Sequence, residues 1–507
     1  SNLDCKVNVN ITFKNNLKVD NDFFKIYNFN CKFRKVNNMK KKKLTKKELC
    51  WILYDVGNSA FTMVSVSLFA LFFTNLTNLA NVSSVDSDAF WSYAASIVTL
   101  IAVLIGPLVG TLSDYKGFKK PMFLIFTLLG VIGCILLGIP MNFVGWLVLF
   151  VICKVCYNGA LMIYDSMLVD TTSMERTDKI SAYGYAFGYI GSLVPFLIGI
   201  AICAFGFTGY EAFGADGTKL TGMDASLACP WGYLICFIIN ALWWLAFTIP
   251  LFKTYKQNYF VERETVEGSK VKATFKSIGD SYKRIWEIFK YAKKHAGIIL
   301  FLIAFFLYID GVYSIIELAI KVAGGFGVGQ VDSLIALVAV QVIACPCAIG
   351  ISYLAKRFGN EKMIFVCILG YLFITIFAVF INNNWMFWIL AVAVGMFQGG
   401  IQSLSRSYFT QIIPKNKSGE LFSLFDAFGK GASFIGTLLF GVISQATDSS
   451  NLGIIPLAVL VFVGGIVFIF AVIANHKSKH FIDEENAKID QDLNITEATF
   501  AEEEVSK

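Results

Sequence analysis

Apolar residues run along most of the chain in blocks of twenty or more, separated by short polar or glycine-containing stretches. A helix needs about 20 mostly apolar residues to cross a bilayer. Twelve blocks meet that length, at 49–74, 89–113, 121–140, 142–170, 179–205, 229–252, 296–321, 331–355, 361–381, 384–412, 419–446 and 452–474. Each is predicted to be helical, because hydrocarbon cannot satisfy an open backbone. No period-two alternation of the outer-membrane barrel kind is sustained anywhere. The pattern therefore predicts an all-α membrane protein with twelve transmembrane helices. Gly184, Gly188 and Gly191 in the fifth block suit a close helix crossing.

Composition agrees with the pattern. The chain is 56% hydrophobic and 16% charged, with a mean hydropathy of +0.63. Soluble domains run nearer 45–50% apolar and about 25% charged. A cytosolic enzyme, a disordered chain and a nucleic-acid binder are excluded as leading readings. The net charge of +7 makes a lipid bilayer, anionic on one side, the natural partner.

Lys and Arg then assign the sides. Lys116, Lys119 and Lys120 follow span 2, and Arg176 and Lys179 follow span 4. Lys356, Arg357 and Lys362 follow span 8, and Lys415 and Lys417 follow span 10. The opposite short loops hold only Lys219 and Lys321. Both termini are expected on the cytoplasmic side.

Residues 1–38 are rich in Asn and Lys and lack the apolar core of a signal peptide. Met39, followed by a basic run, reads as a natural start after a dispensable extension; a genuine floppy tail is the other reading. The expected organisation is a cytoplasmic extension (1–48), a six-helix half (49–253), a cytoplasmic linker (254–295), a second six-helix half (296–475) and an acidic tail (476–507) expected to be disordered. Within the linker, Phe275, Ile278, Tyr282, Ile285 and Phe289 recur at helical spacing. They suit a helix lying on the membrane surface, or equally a linker helix packed on the bundle.

An internal repeat supports two pseudo-symmetric halves. Gly110-Thr-Leu112-Ser-Asp114-Tyr-Lys-Gly117-Phe-Lys119-Lys120 follows span 2, and Leu112, Gly117 and Lys120 recur 242 residues later as Leu354, Gly359 and Lys362 after span 8. Pro107 and Pro346 precede the two loops. Parallel repeats of this kind rock around a central site. Gly110, Asp114, Gly117 and Lys120 form a candidate conformational latch, in which the Asp114 carboxylate can hold a cation or a helix N-terminus. The second copy has Lys356 where the acid should be, which predicts a weaker latch.

A charge at a helix centre costs roughly 2.5–3.5 kcal/mol on insertion scales, so each one is a functional candidate. Span 1 carries Tyr54, Asp55 and Asn58, and span 4 carries Lys154, Asn158 and Asp165 at spacings that share one face. Span 7 carries Asp310 with Ser314 and Glu317, and span 10 carries Gln398, Gln402 and Arg406. Span 11 carries Asp426 and Lys430, an i,i+4 pair able to neutralise itself. Structural readings stand beside the functional ones. Arg406 can snorkel to the inner surface, Glu317 can reach the outer surface, and Asp55 can make a structural hydrogen bond. Lys154 and Asp310 can form a buried pair across the halves that only holds shape.

His295, His476 and His480 lie at span ends or in the tail, so any proton coupling would use carboxylates: Asp310, Asp165, then Asp55. Gly325-Phe-Gly327-Val-Gly329 lacks the Lys-Ser/Thr of a phosphate loop, and Cys153-Lys-Val-Cys156 lies mid-span as packing. The 12 Cys form no disulfide framework. No zinc or nucleophile constellation is present, and neither a cofactor nor a metal is expected.

Four stretches carry a family likeness. They are Trp51-Ile-Leu-Tyr54-Asp55-Val-Gly-Asn58-Ser59-Ala60-Phe61, Ser181-Ala-Tyr-Gly184-Tyr-Ala-Phe-Gly188-Tyr189-Ile-Gly191, Gln402-Ser-Leu-Ser405-Arg406-Ser407-Tyr408-Phe409, and Pro414 with Gly429-Lys430. Together they resemble the vacuole-effluxer-like family of the major facilitator superfamily over residues 46–475. The loop after span 2 is similar to that superfamily's G-x-L-x-D-x-x-G-x-K-K signature. The resemblance implies the major facilitator fold, with spans 1, 4, 7 and 10 lining the cavity. It also implies secondary transport of a small polar or zwitterionic solute by alternating access, amino acids being the cargo of the yeast vacuolar members. Asp165 and Asp170 stand where family members tend to have Asn and Pro, which implies a different substrate or coupling ion.

On this reading Lys154 and Arg406 meet a carboxylate, and Asp310 meets an amine or carries a proton. Gln398, Gln402, Tyr54 and Asn58 orient the solute. The expected partners are a small solute, protons and lipid, with a monomer in a bacterial plasma membrane. A multidrug or metabolite exporter and a non-transporting sensor or scaffold are the alternatives.

Overall fold

The computed structural model describes residues 43–82, 84–212, 219–262, 290–291, 295–325, 330–381, 383–447 and 450–493. Residues 1–42 and the linker stretch holding Phe275 to Phe289 lie outside them. Among the described residues the structure is helical apart from isolated bridges, one of which pairs Tyr115 with Val261. The helices belong to one compact unit that starts at Thr45.

The first helix, α1 (Lys46–Val66), opens on a capping box. Thr45 Oγ1 accepts from the Glu48 amide at 3.2 Å, and Glu48 Oε2 accepts from the Thr45 amide at 2.9 Å. The helix breaks at Ser67, whose hydroxyl donates to the Met63 carbonyl at 2.6 Å, and resumes as α2 (Leu68–Leu79). There follow α3 (Ser84–Ser113), α4 (Lys119–Leu136), α5 (Phe143–Ser166), α6 (Leu168–Thr171), α7 (Thr177–Phe205), α8 (Gly222–Ala228) and α9 (Pro230–Thr254). The C-terminal set comprises α10 (Ala296–Gly325), α11 (Gln330–Phe358), α12 (Asn360–Val379), α13 (Asn384–Ile412), α14 (Ser418–Thr447), α15 (Ser450–Gly453) and α16 (Ile455–Asp492).

Ten helical stretches among the described residues are long and apolar enough to cross a membrane. Two further helices, α3 and α14, are each 30 residues long and lie where spans 2 and 11 were expected. The expected fourth span, 142–170, breaks at Met167, which separates α6 from α5. The tail corrects its expectation. Residues 476–492 are not disordered but continue α16 as helix, with Ile482, Asn486 and Ile489 buried along one face.

Aromatic rings fill the interior of each set. Phe61 stacks on Tyr157 at 4.6 Å in the N-terminal set, and Phe305 stacks on Phe425 at 4.0 Å in the C-terminal set. Large apolar side chains also line the outside, among them Leu104, Phe373 and Phe470. That inside-and-outside apolarity is what a lipid-embedded bundle requires. The two sets meet along two seams, α3 and α5 against α14, and α7 against α11 and α13.

Candidate functional site

Three ionisable side chains converge where the two sets meet, on α1, α5 and α13. Arg406 on α13 donates from Nη1 to Asp165 Oδ1 at 2.9 Å and from Nη2 to Asp55 Oδ2 at 3.3 Å. Its Nε reaches Ser181 Oγ at 2.9 Å, and Nη2 also reaches the Ser181 carbonyl at 3.0 Å. Arg406 is 1% exposed, so it does not snorkel. A buried guanidinium is tolerable only when its charge and its donors are met. Here two carboxylates meet the charge, while Trp51 and Tyr185 cover the plane at 4.7 and 4.2 Å. The acids and Ser181 come from the N-terminal set and Arg406 from the C-terminal set, so the cluster pins one to the other.

Neighbouring residues hold the acids in place. Asn58 Nδ2 donates to Asp55 Oδ1 at 3.1 Å, and Tyr157 donates to Asn58 Oδ1 at 3.4 Å. Trp51 stacks on Tyr164 at 4.5 Å and donates to its carbonyl at 3.2 Å. Only glycine fits at 184, because a Cβ there would collide with the Asp55 carboxylate and lie 3.0 Å from Arg406 Nη2.

A second contact between the sets lies at the same end. Asp114, just beyond α3, accepts from the Gly419 amide at 2.8 Å and the Glu420 amide at 3.0 Å. It thus caps the N-terminus of α14, where free amides and the helix dipole favour an anion. Lys119 Nζ lies 3.4 Å from Asp114 and 3.7 Å from Asp170, and donates to Ser418 Oγ at 3.1 Å. A Cβ at Gly110 would collide with the Gly419 carbonyl, and Gly117 turns the loop with φ +79. Lys120 is not part of this group; its ammonium lies 4.7 Å over the Phe252 ring. A third contact joins Asp178 at the start of α7 to Ser407, to Gln411 at 3.0 Å and to Asn360 at 2.8 Å.

Farther from that end, Lys154, Asn158 and Asp426 are less buried, whereas Tyr54, Gln398 and Gln402 are not. Lys154 and Asn158, one turn apart on α5, are half-buried. Lys154 lies 5.4 Å from the ring centres of Phe61 and Tyr157. Asn158 lines a pocket between the sets with Gly106, Val109, Phe126, Ser423 and Asp426. Gln402 accepts from Tyr189 at 2.7 Å, and the buried Gln398 Oε1 has no hydrogen-bond partner among the described residues. Tyr54 turns into the N-terminal core, under Trp244 Nε1 at 3.4 Å and against Phe123.

Asp310 is seated elsewhere. It is fully buried on α10, and its Oδ1 accepts from Ser314 Oγ and the Gly436 amide, each at 3.0 Å. The side chains of Glu317 and Lys430 lie outside the described residues.

Comparison with known proteins decides the family. The chain matches the family described as "Vacuole effluxer Atg22 like" over residues 78–170 and 168–480. It belongs to the Atg22-like vacuole effluxer family. A relative in Bacillus subtilis (strain 168), an uncharacterized transporter of the major facilitator type called YxiO, is 36% identical over 434 residues, covering 85% of this chain and 95% of its own. Autophagy-related protein 22 of Kluyveromyces lactis is 25% identical over 397 residues, covering 72% of this chain and 76% of its own. Among solved structures, the major facilitator transporter FucP in its outward conformation superposes with a TM-score of 0.62 at 13% identity, over 84% of this chain and 98% of that one. The proton:xylose symporter XylE superposes at 0.59 and 12% identity, over 83% of this chain and 93% of that one. This Atg22-like chain is therefore an integral membrane protein of the major facilitator fold, and a secondary transporter.

Several residues that build these contacts escaped the sequence reading. Lys119 stands beside Lys120, and the repeat match singled out the wrong neighbour. Ser181 and Tyr185 carry no charge to draw the eye, although both lie in the motif that carried the family likeness. Asp170 was seen as an acid at a span end, but its partners, Tyr255 at 2.5 Å and the amides of Asn258 and Tyr259, come from a distant segment.

Proposed function

We propose that this transporter moves a small zwitterionic solute, amino acids foremost, across a bacterial plasma membrane by alternating access. On this reading twelve spans form two halves, 49–253 and 296–475, and the basic loops and both termini face the cytoplasm. The observation that carries it is Arg406, sealed between Asp55 and Asp165 of the opposite half. Two halves that rock about a central site must make and break ionic contacts between them, and this cluster is such a contact in its closed form. With the Asp114 cap and the Asp178 group it closes the cytoplasmic end.

Arg406 is then a gate residue rather than a solute contact, because its donors are already engaged. The solute site is built on the less buried group, with Lys154 facing a carboxylate, Asp426 facing an ammonium and Asn158 orienting the rest, together with the buried Gln398. Two carboxylates sharing one guanidinium carry a net negative charge. One proton on Asp165 or Asp55 neutralises it and weakens the hold on Arg406. Proton entry is thereby tied to opening, and each charge moved gains about 2.3 kcal/mol per 100 mV. Asp310, bonded to the α14 backbone, is left a structural role.

The test is flux in proteoliposomes for a panel of amino acids, with Lys154→Ala and Asp426→Asn beside the wild type. The expected result is saturable flux that falls at least tenfold in both variants. Absence of flux for every amino acid in the wild type contradicts the substrate assignment.

A further inference from the structure

The C-terminal extension of α16 does not hang free, and its contacts reach both sets of helices. Asp490 accepts from the Tyr259 hydroxyl at 2.9 Å and pairs with Lys415 Nζ at 2.7 Å. Lys415 Nζ also donates to the Tyr259 hydroxyl at 3.0 Å and lies 4.9 Å over its ring. One turn back, Asn486 Oδ1 accepts from the Lys415 amide at 3.0 Å. Glu485 accepts from the Tyr291 hydroxyl at 2.7 Å. Ile489, on the same face, is buried against Val169 and Tyr259. Residues 482, 486, 489 and 493 follow the spacing of one helix face. The outer face carries exposed Glu484 and Lys488.

These partners belong to different bodies. Tyr259 is fastened to the N-terminal set, because its amide donates to Asp170 at 2.8 Å and the adjacent Asn258 amide does so at 2.9 Å. Lys415 belongs to the short link between α13 and α14, three residues before the Ser418 that Lys119 holds and four before the Gly419 that Asp114 caps. A chain of contacts therefore runs from Asp114 through Lys119 and Asp170 to the Tyr259 amide, and from the hydroxyl of the same tyrosine to Asp490 and Lys415. It grips the α13–α14 link from two directions. Burial first, and then the Asp490 carboxylate, raise the Tyr259 phenol above its ordinary pKa, so it stays protonated and keeps donating.

We propose that residues 476–492 are an intramolecular brace that ties the two sets of helices together while this end is closed, and that the brace releases before the end opens. A helix bonded to both bodies cannot follow both when they move apart. The brace thus sets how often the closed contacts break. The proposal goes beyond the transport reading and rests on its alternating-access part.

The experiment is hydrogen–deuterium exchange on the full-length protein in nanodiscs. The variants are Tyr259→Phe, Asp490→Ala and, as an outer-face control, Lys488→Ala. Single substitutions are used because truncation at 476 removes a packed helix and risks misfolding. The expected result is about tenfold faster exchange at the Asp114 loop, residues 110–119, and at the Arg406 segment, residues 402–411, in the first two variants and not in the control, as for a local opening made easier. Faster exchange confined to residues 476–493, or no change in either variant, overturns the brace. If the distant segments respond as expected while the wild type moves no solute in proteoliposomes, the transport reading fails and the brace stands.

Discussion

Arg406 shows how much one side chain can be asked to do. It lies beneath two aromatic rings, between two acids it does not share a helix with. Removing one partner of such a buried pair costs about 3–5 kcal/mol, because the remaining charge is left without compensation. Arg406→Ala is expected to lower the thermal midpoint sharply, whereas Lys154→Ala, at a half-buried position, should change it little. Adding Asp55→Asn and Asp165→Asn to Arg406→Ala should restore part of the loss, since the stranded charges go with the arginine. Thermal unfolding of the four proteins checks this, and a triple variant no better than Arg406→Ala contradicts it. Gly184→Ala belongs with these, because its methyl group collides with Asp55. It should destabilise more than an alanine at Gly209, where nothing lies within 4 Å.

At the scale of elements, the Asp114 cap ties a loop to the start of a helix in the other set. An anion at a helix N-terminus contributes about 0.3–1 kcal/mol when exposed and up to ~2 when partly buried. Asp114→Asn keeps the shape and loses the charge. It should shift labelling of an introduced cysteine at Ser418 towards the exposed state while preserving the fold, and unchanged labelling would contradict a latch.

Legibility differs by element for physical reasons. Hydropathy marks where helices cross a membrane, and the cost of a buried charge marks Asp55, Asp165 and Arg406 within them. Neither reports the direction a side chain faces. Depth in a span says nothing of what surrounds Asp310, which accepts from the α14 backbone, or Lys154, which lies against aromatic rings. The tail misled differently. Its acidic composition suits solvent, but the buried face is only every third or fourth residue and finds its partners far away in sequence.

At the scale of the molecule, the three groups centred on Arg406, Asp114 and Asp178 all join the two sets at one end of the bundle. Lys154, Asn158 and Asp426 lie deeper and are less sealed. That arrangement suits a carrier closed at its basic end. Its orientation is checked by proteolysis of a tag placed at the C-terminus, expected only from the cytoplasmic side of inverted or open vesicles; cleavage in intact cells would contradict it.

The most direct measurement compares two modes of transport in the same proteoliposomes, accumulation driven by an imposed pH gradient and exchange of labelled for unlabelled solute at equal pH. Asp165→Asn and Asp55→Asn leave Arg406 one full charge partner each. If the ionic cluster couples protons to opening, at least one of them loses pH-driven accumulation while retaining exchange. Wild-type accumulation in both variants would contradict the account.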